Sequence, residues 1–151
     1  MPELPEVETV KNQLKKRLVG CKITNVNVCY DGIIEYPSVD LFKKRIINQE
    51  FVDIKRRGKW LLFELNDYYL LSHLRMEGKY NFHNSKDVVG KHEHVIFSLD
   101  NGLELRYHDT RKFGKMHLIE KDKIDVIGPL IKLGLEPWDD NLDVNYLKVK
   151  Y

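Results

Sequence analysis

Proline at position 2 carries the least ordinary chemistry in this sequence. Removal of Met1 would expose a secondary amine, and a neutral amine can attack an electrophilic carbon. A free α-amino group titrates near about pH 8, and the positive end of a helix starting just after it lowers that value, so a useful fraction is unprotonated at neutral pH. Attack on an anomeric carbon would give an iminium, the covalent stage that amine nucleophiles provide. A retained Met1 would leave Pro2 as an amide nitrogen, incapable of that step. Glu3 and Glu6 fall in the same stretch, where they can move protons for an opened sugar. The same residues have an ordinary meaning too. Proline near a helix start and acids in its first turn are capping devices, and spacing alone favours that meaning.

Four further segments group residues that could meet a polyanion. Lys55-Arg56-Arg57-Gly58-Lys59-Trp60 sets four cations around a glycine between two apolar runs, a hairpin tip suited to phosphates or a merely solvated turn. Ser72-His73-Leu74-Arg75-Met76-Glu77-Gly78-Lys79 ends an apolar run with a methionine, a residue type that more often fills gaps in a core. In Asp109-Thr110-Arg111-Lys112-Phe113-Gly114 a guanidinium and an aromatic stand two positions apart, which points both the same way if the loop is extended. Lys91-His92-Glu93-His94 alternates histidines, but two ligands without a third favour strand packing or a phosphate contact over a metal.

These residues need a scaffold, and the periodicity supplies one. Val7, Val10, Leu14 and Leu18 recur at three and four residues with Gly20 beyond, predicting an amphipathic helix over 5–18. A second, shorter helix is expected from Ser38 as cap through Leu41, Phe42, Ile46 and Ile47. Between them, Val26, Val28 and Tyr30 alternate with polar neighbours, and Asp31-Gly32 suggests a hairpin into Ile33–Tyr36. The remaining pattern reads as strands over 51–56, 60–65, 68–74, 94–99, 103–107 and 115–119. Asn66-Asp67 and Asp100-Asn101-Gly102 are their hairpin turns. The expected fold is α+β and mainly β, an antiparallel β-sandwich flanked by an N-terminal helix and a second short helix.

Length and charge bound the function. The 151 residues, 42% hydrophobic, suffice for one domain with a core. No run approaches the roughly 20 apolar residues of a membrane span, and the acidic N-terminus is unlike a signal peptide, so a cytoplasmic protein is expected. Cys21 and Cys29 lack metal-ligand spacing with one another and are expected as reduced structural thiols. The net charge of +2 arises from 25 basic and 23 acidic residues, so distribution says more than the sum. Bases bunch at Lys55, Arg56, Arg57 and Lys59 and at Arg106, Arg111, Lys112 and Lys115, while acids collect at Glu136, Asp139, Asp140 and Asp143; a polarised surface is expected.

The opening Met1-Pro2-Glu3-Leu4-Pro5-Glu6-Val7-Glu8-Thr9 resembles the N-terminal signature of formamidopyrimidine-DNA glycosylases. The resemblance implies a bifunctional base-excision repair enzyme, a glycosylase and AP lyase. It would remove oxidised purines such as 8-oxoguanine and formamidopyrimidines through a Pro2 Schiff base and β,δ-elimination. Carried onto this sequence, Pro2 is the nucleophile, Glu3 the general acid/base, Lys59 the catalytic lysine, and Glu6 helps to hold the damaged nucleotide. Leu4 stands where the sister endonuclease VIII type usually has glycine, which favours the oxidised-purine branch. His73 and His92 fall in stretches similar to the family's and are implied DNA contacts. Met76, Arg111 and Phe113 are implied to fill the space left when the base is turned out, a step that costs a few kcal/mol.

The similarity runs from Met1 to about Trp138, with 1–138 read as the catalytic domain and 139–151 as the start of a linker or second domain. The family's chain normally continues into a helix, two-turn, helix module and a four-cysteine zinc finger, and this sequence is therefore expected to be a fragment. Its own cofactor is expected to be none, its partner double-stranded DNA with oxidised bases, and its state monomeric and nucleoid-associated. The alternatives are a non-catalytic DNA-binding domain, using the same basic hairpins without chemistry at Pro2, and a purely structural domain.

Overall fold

A computed structural model describes residues 4–75 and 78–124, with side chains from Val7 onward. The first helix, α1 (Leu4–Leu18), buries Val7, Leu14 and Leu18 along one stripe. Lys11 shares that stripe in place of Val10, which is only half-buried, and its ammonium is satisfied by Glu8 Oε2 at 2.9 Å. Gly20 ends the turn in the left-handed region (φ 94°), where a residue without Cβ meets no penalty, and its N–H donates to the Phe51 carbonyl at 2.9 Å.

Among the described residues, nine strands follow in two layers. They are β1 (Ile23–Val28), β2 (Ile34–Tyr36), β3 (Asp53–Arg57), β4 (Trp60–Glu64), β5 (Tyr68–His73), β6 (Lys79–Asn84), β7 (Glu93–Leu99), β8 (Leu103–His108) and β9 (Lys115–Glu120). One sheet has the order β1-β7-β8-β6 and the other β2-β9-β5-β4-β3. Every pairing is antiparallel except β2 with β9. The main core lies between the layers, with Phe42 facing Phe97 and Phe51 facing Phe63. The five-stranded sheet is apolar on its second face as well, where Leu62, Leu71, Ile119 and Ile124 cluster with Trp60 and Tyr69. The helix α2 (Val39–Ile46) follows its expected cap: Ser38 Oγ accepts the Leu41 N–H at 3.3 Å, and Phe42 and Ile46 are buried.

Two sequence expectations change. Ile23–Tyr36 is no hairpin, because β1 pairs with β7 while β2 pairs with β9 in the opposite layer. The cause is local. Cys29 and Tyr30 still donate to the His94 carbonyl, and then a 3-10 turn over Asp31–Ile33 buries Ile33 and carries the chain between layers. Strand β6 was not anticipated. It is the outer strand of its sheet, so Tyr80 and Phe82 alternate with polar residues over too short a polar stretch to register. Its tie to the other layer is a Ser72 Oγ to Tyr80 Oη hydrogen bond of 2.5 Å.

Candidate functional site

The strand registers gather the segments singled out by chemistry at one end of the sandwich. In one sheet, Arg57 is opposite Trp60, Trp60 opposite His73, and His73 opposite Lys115. In the other, Lys79 and Glu93 both oppose His108. The turns leaving this row are the 57–60 hairpin tip, the stretch after His73, the approach to Glu93 and the 109–114 loop.

The first turns of helix α1 lie at the same end. The helix runs antiparallel to β3, with Glu8 Oε1 accepting from Arg56 Nε at 2.9 Å and Lys15 Nζ 3.1 Å from Asp53 Oδ1. Arg56 also donates from Nη1 to the Gly58 carbonyl at 2.9 Å, so one guanidinium clamps the helix to the hairpin tip. Gly58 takes φ 58° in the two-residue turn, and Lys59 stands beside it, half-buried. Pro2, Glu3 and Met76 lie outside the described residues, as does the side chain of Glu6, whose backbone is in the first turn of α1.

His73 is mostly buried with Trp60 edge-on to it at 4.9 Å. Burial first, then the cations of Arg75 and Lys59, hold its pKa down to about 4. It is therefore neutral at physiological pH, and its Nδ1 accepts the Arg75 N–H at 3.0 Å, leaving the proton on Nε2. His73 thus holds Arg75, which adopts φ 57°, at the start of the segment that carries Met76.

His92 and His94 divide between surface and core. His94 is buried with Nε2 2.7 Å from the Asp109 carbonyl. His92 sits in the turn before β7 with its ring 5.7 Å from that of His108, and its carbonyl accepts the Asp109 N–H at 2.9 Å. Its pKa is lowered by partial burial first and then by Lys91, His108, His94 and Lys112, so it too is neutral at physiological pH. Arg111 and Phe113 project from the exposed tip of the following loop, Phe113 with half its surface in solvent.

The basic clusters are less superficial than the sequence suggested. Arg57 and Arg106 have no exposed surface. Arg106 is enclosed by Glu93 (2.9 Å), Glu104 (2.8 Å) and the carbonyls of Val88 and Asp87, and it braces the β6–β7 connection. Lys115 donates to the Gly32 carbonyl at 2.8 Å, and Lys112 lies over the Tyr30 ring. What sequence reasoning missed is the framework: Arg56 on Glu8, Arg106 on Glu93, and Asp109 under its own loop. The last had a legible signal, since Asp carboxylates capture N–H groups two residues on.

Among the described residues, no group of three or more His, Cys, Asp or Glu side chains could hold a metal ion. Cys21 and Cys29 are free thiols, both pushed up by burial. The chain's two cysteines do not fit the four-cysteine zinc site that the family resemblance implies for longer members. Among the described residues, no helix is long and apolar enough to cross a membrane.

Residues 1–116 match the profile of the formamidopyrimidine-DNA glycosylase N-terminal domain. The chain is 49% identical to the formamidopyrimidine-DNA glycosylase of Enterococcus faecalis over 140 residues, 93% of this chain and 50% of the relative. It is 47% identical to that of Shouchella clausii over 152 residues, 100% and 55% of the two chains. The chain spans about half the length of the curated relatives it matches. Among solved structures it resembles Lactococcus lactis Fpg in complex with DNA containing an abasic site, with TM-score 0.78 and 40% identity over 82% of this chain and 46% of that one. A complex of the same enzyme with DNA containing Fapy-dG matches with TM-score 0.77 and 41% identity over 81% and 46%.

Proposed function

This chain belongs to the formamidopyrimidine-DNA glycosylase family, and from that membership we propose that it supplies the catalytic half of a base-excision repair enzyme acting on oxidised purines in double-stranded DNA. The observation that carries the reading is the Arg56 clamp, which joins Glu8 in the first turns of α1 to the Lys59 hairpin. The end of the sandwich that presents Arg111 and Phe113 is the same one.

In the proposed reaction, removal of Met1 frees the Pro2 amine. Its lone pair attacks C1′ of the flipped nucleotide as the bond to the oxidised base breaks, and the base departs with a proton. Opening of the sugar gives the iminium. Glu3 exchanges the protons of ring opening and β,δ-elimination, Glu6 holds the nucleotide, and Lys59 neutralises phosphate beside it. His73 and His92, both neutral, offer hydrogen bonds rather than charge to the backbone. Met76, Phe113 and Arg111 occupy the vacated stack, with Arg111 donating to the orphaned cytosine. The chemistry draws on no cofactor from this chain, and a cytoplasmic monomer is consistent with it.

Borohydride trapping on a duplex carrying 8-oxoguanine opposite cytosine tests the reading. Protein whose Met1 is shown by mass to be absent should form a covalent adduct, and protein that retains Met1, with Pro2 held as an amide nitrogen, should not. Salt-sensitive DNA binding without any adduct would instead establish the non-catalytic DNA-binding domain.

A further inference from the structure

The loop that presents Arg111 and Phe113 is built around one carboxylate. Asp109 has no exposed surface. Its Oδ1 accepts the N–H groups of Arg111 and Lys112, each at 3.1 Å, and its Oδ2 accepts the Gly114 N–H at 2.8 Å and the Tyr107 hydroxyl at 2.9 Å. The backbone of Asp109 is held as firmly, its N–H by the His92 carbonyl and its carbonyl by His94 Nε2. The residues it organises are exposed from Thr110 to Phe113, and Lys112 takes φ 60°, a left-handed conformation that a side chain adopts at a cost. A buried, four-fold satisfied carboxylate beneath an exposed tip fixes the direction of that tip.

Tyr107 joins this loop to the rest of the site. Its hydroxyl occupies the place where a Cβ on Gly114 would fall and is 2.7 Å from where a Cβ on Gly78 would fall. Gly114 in turn lies against the His73 carbonyl. The hydroxyl therefore fits because both flanking residues are glycines, and it pins the 109–114 loop to the end of β5 and the start of β6. The ring is buried against Tyr80 at 5.2 Å. Burial, with Tyr80 and Asp109 nearby, drives the phenol pKa far up, so the hydroxyl remains a donor.

We propose that Tyr107 and Asp109 are positioning residues for opposite-base specificity: they hold the loop so that Arg111 meets the base across from the lesion in one fixed direction. The inference rests on the function proposed above. Pre-organisation matters here because a guanidinium discriminates cytosine from adenine through directed hydrogen bonds, which a loose loop averages away.

Single-turnover excision of 8-oxoguanine opposite cytosine and opposite adenine, with borohydride trapping on an abasic duplex as reference, tests it in Asp109→Asn and Tyr107→Phe. An asparagine amide must turn its NH2 toward N–H or O–H donors, so Asp109→Asn should lower the cytosine-over-adenine ratio by about fivefold or more, the lower end of one good base contact. Tyr107→Phe keeps the ring and should lower the ratio in the same direction by a smaller factor. Trapping on the abasic duplex, which requires no choice of base, should change by less than about twofold in either variant. Amide exchange of Arg111, Lys112 and Gly114 without DNA should quicken in both.

A ratio unchanged in Tyr107→Phe and in folded Asp109→Asn overturns the positioning role while leaving the function intact. Ratio and trapping falling together in proportion to lost stability overturn it also, as a merely structural effect. Wild-type protein that forms no adduct overturns the parent function and the specificity role with it, and the amide exchange then reports only on the loop's anchoring.

Discussion

Replacing Arg106 with methionine should cost this fold about 3–5 kcal/mol, the range for removing one partner of a buried ion pair. The guanidinium has no exposed surface and is held by Glu93 Oε1 at 2.9 Å, Glu104 Oε1 at 2.8 Å and two backbone carbonyls. Methionine restores the volume and none of the hydrogen bonds. It strands Glu93, whose carboxylate is 7% exposed and keeps the Gly90 N–H and His83 as partners. Set against a total stability of about 5–15 kcal/mol, such a loss moves a urea midpoint far without altering its slope. Glu93→Gln in the Arg106→Met background should then cost less than it does alone, with a coupling of more than about 1 kcal/mol. Acid should narrow the gap. Burial pushes the Glu93 carboxyl up, but the Gly90 N–H and Arg106 outweigh it and hold the group below its ordinary 4.5. A depressed carboxyl stabilises above 4.5 and loses that contribution as pH falls through its folded value, and the variant has less of it to lose. A single-variant cost under about 1 kcal/mol, or strict additivity, would refute the view that this pair is a desolvated brace for the β6–β7 connection.

His73 predicts a pH dependence of opposite origin. Its folded pKa of about 4 lies below its ordinary 6.5, so the protein should lose stability as pH falls from 6.5 toward 4 and level off below. The loss is bounded by about 3 kcal/mol and reduced by solvent screening, and a His73→Gln variant should lack that part of the profile. Gly114→Ala should destabilise by about 1–3 kcal/mol in thermal melts, because the new methyl falls on the Tyr107 hydroxyl and 3.0 Å from the His73 carbonyl. Arg56→Gln should cost under about 1 kcal/mol, since its pair with Glu8 is partly exposed. Under the proposed mechanism it should nevertheless slow borohydride trapping by about tenfold by loosening the start of α1, just after the proposed nucleophile, and equal small effects on both would remove the clamp from that mechanism. Lys59→Ala should reduce the slope of DNA affinity against salt by about one phosphate contact, read from titrations at several salt concentrations.

Much of this was legible because it is local. Val7, Leu14 and Leu18 mark a helix through spacing alone, Ser38 announces its cap, and Asp100-Asn101-Gly102 makes its turn with Gly102 at φ 88°. The N-terminal signature carries the family by itself, since it is a run of adjacent residues whose chemistry needs little else. The anticipated hairpin at Asp31-Gly32 shows where locality ends: the turn residues were right, but which layer the next strand joins depends on partners some sixty to eighty residues away.

Local spacing and residue chemistry were enough for the alternation, the caps, the family and the candidate chemistry at Pro2, Glu3 and Lys59. Which charges remain charges at the surface was settled by packing. Arg57 and Arg106 read as members of basic clusters and are buried, while Asp109 and Tyr107 read as unremarkable neighbours and hold the exposed loop from beneath. Burial and pairing are properties of the packed whole: a side chain's environment is set by residues distant in the chain, and no window of sequence contains them.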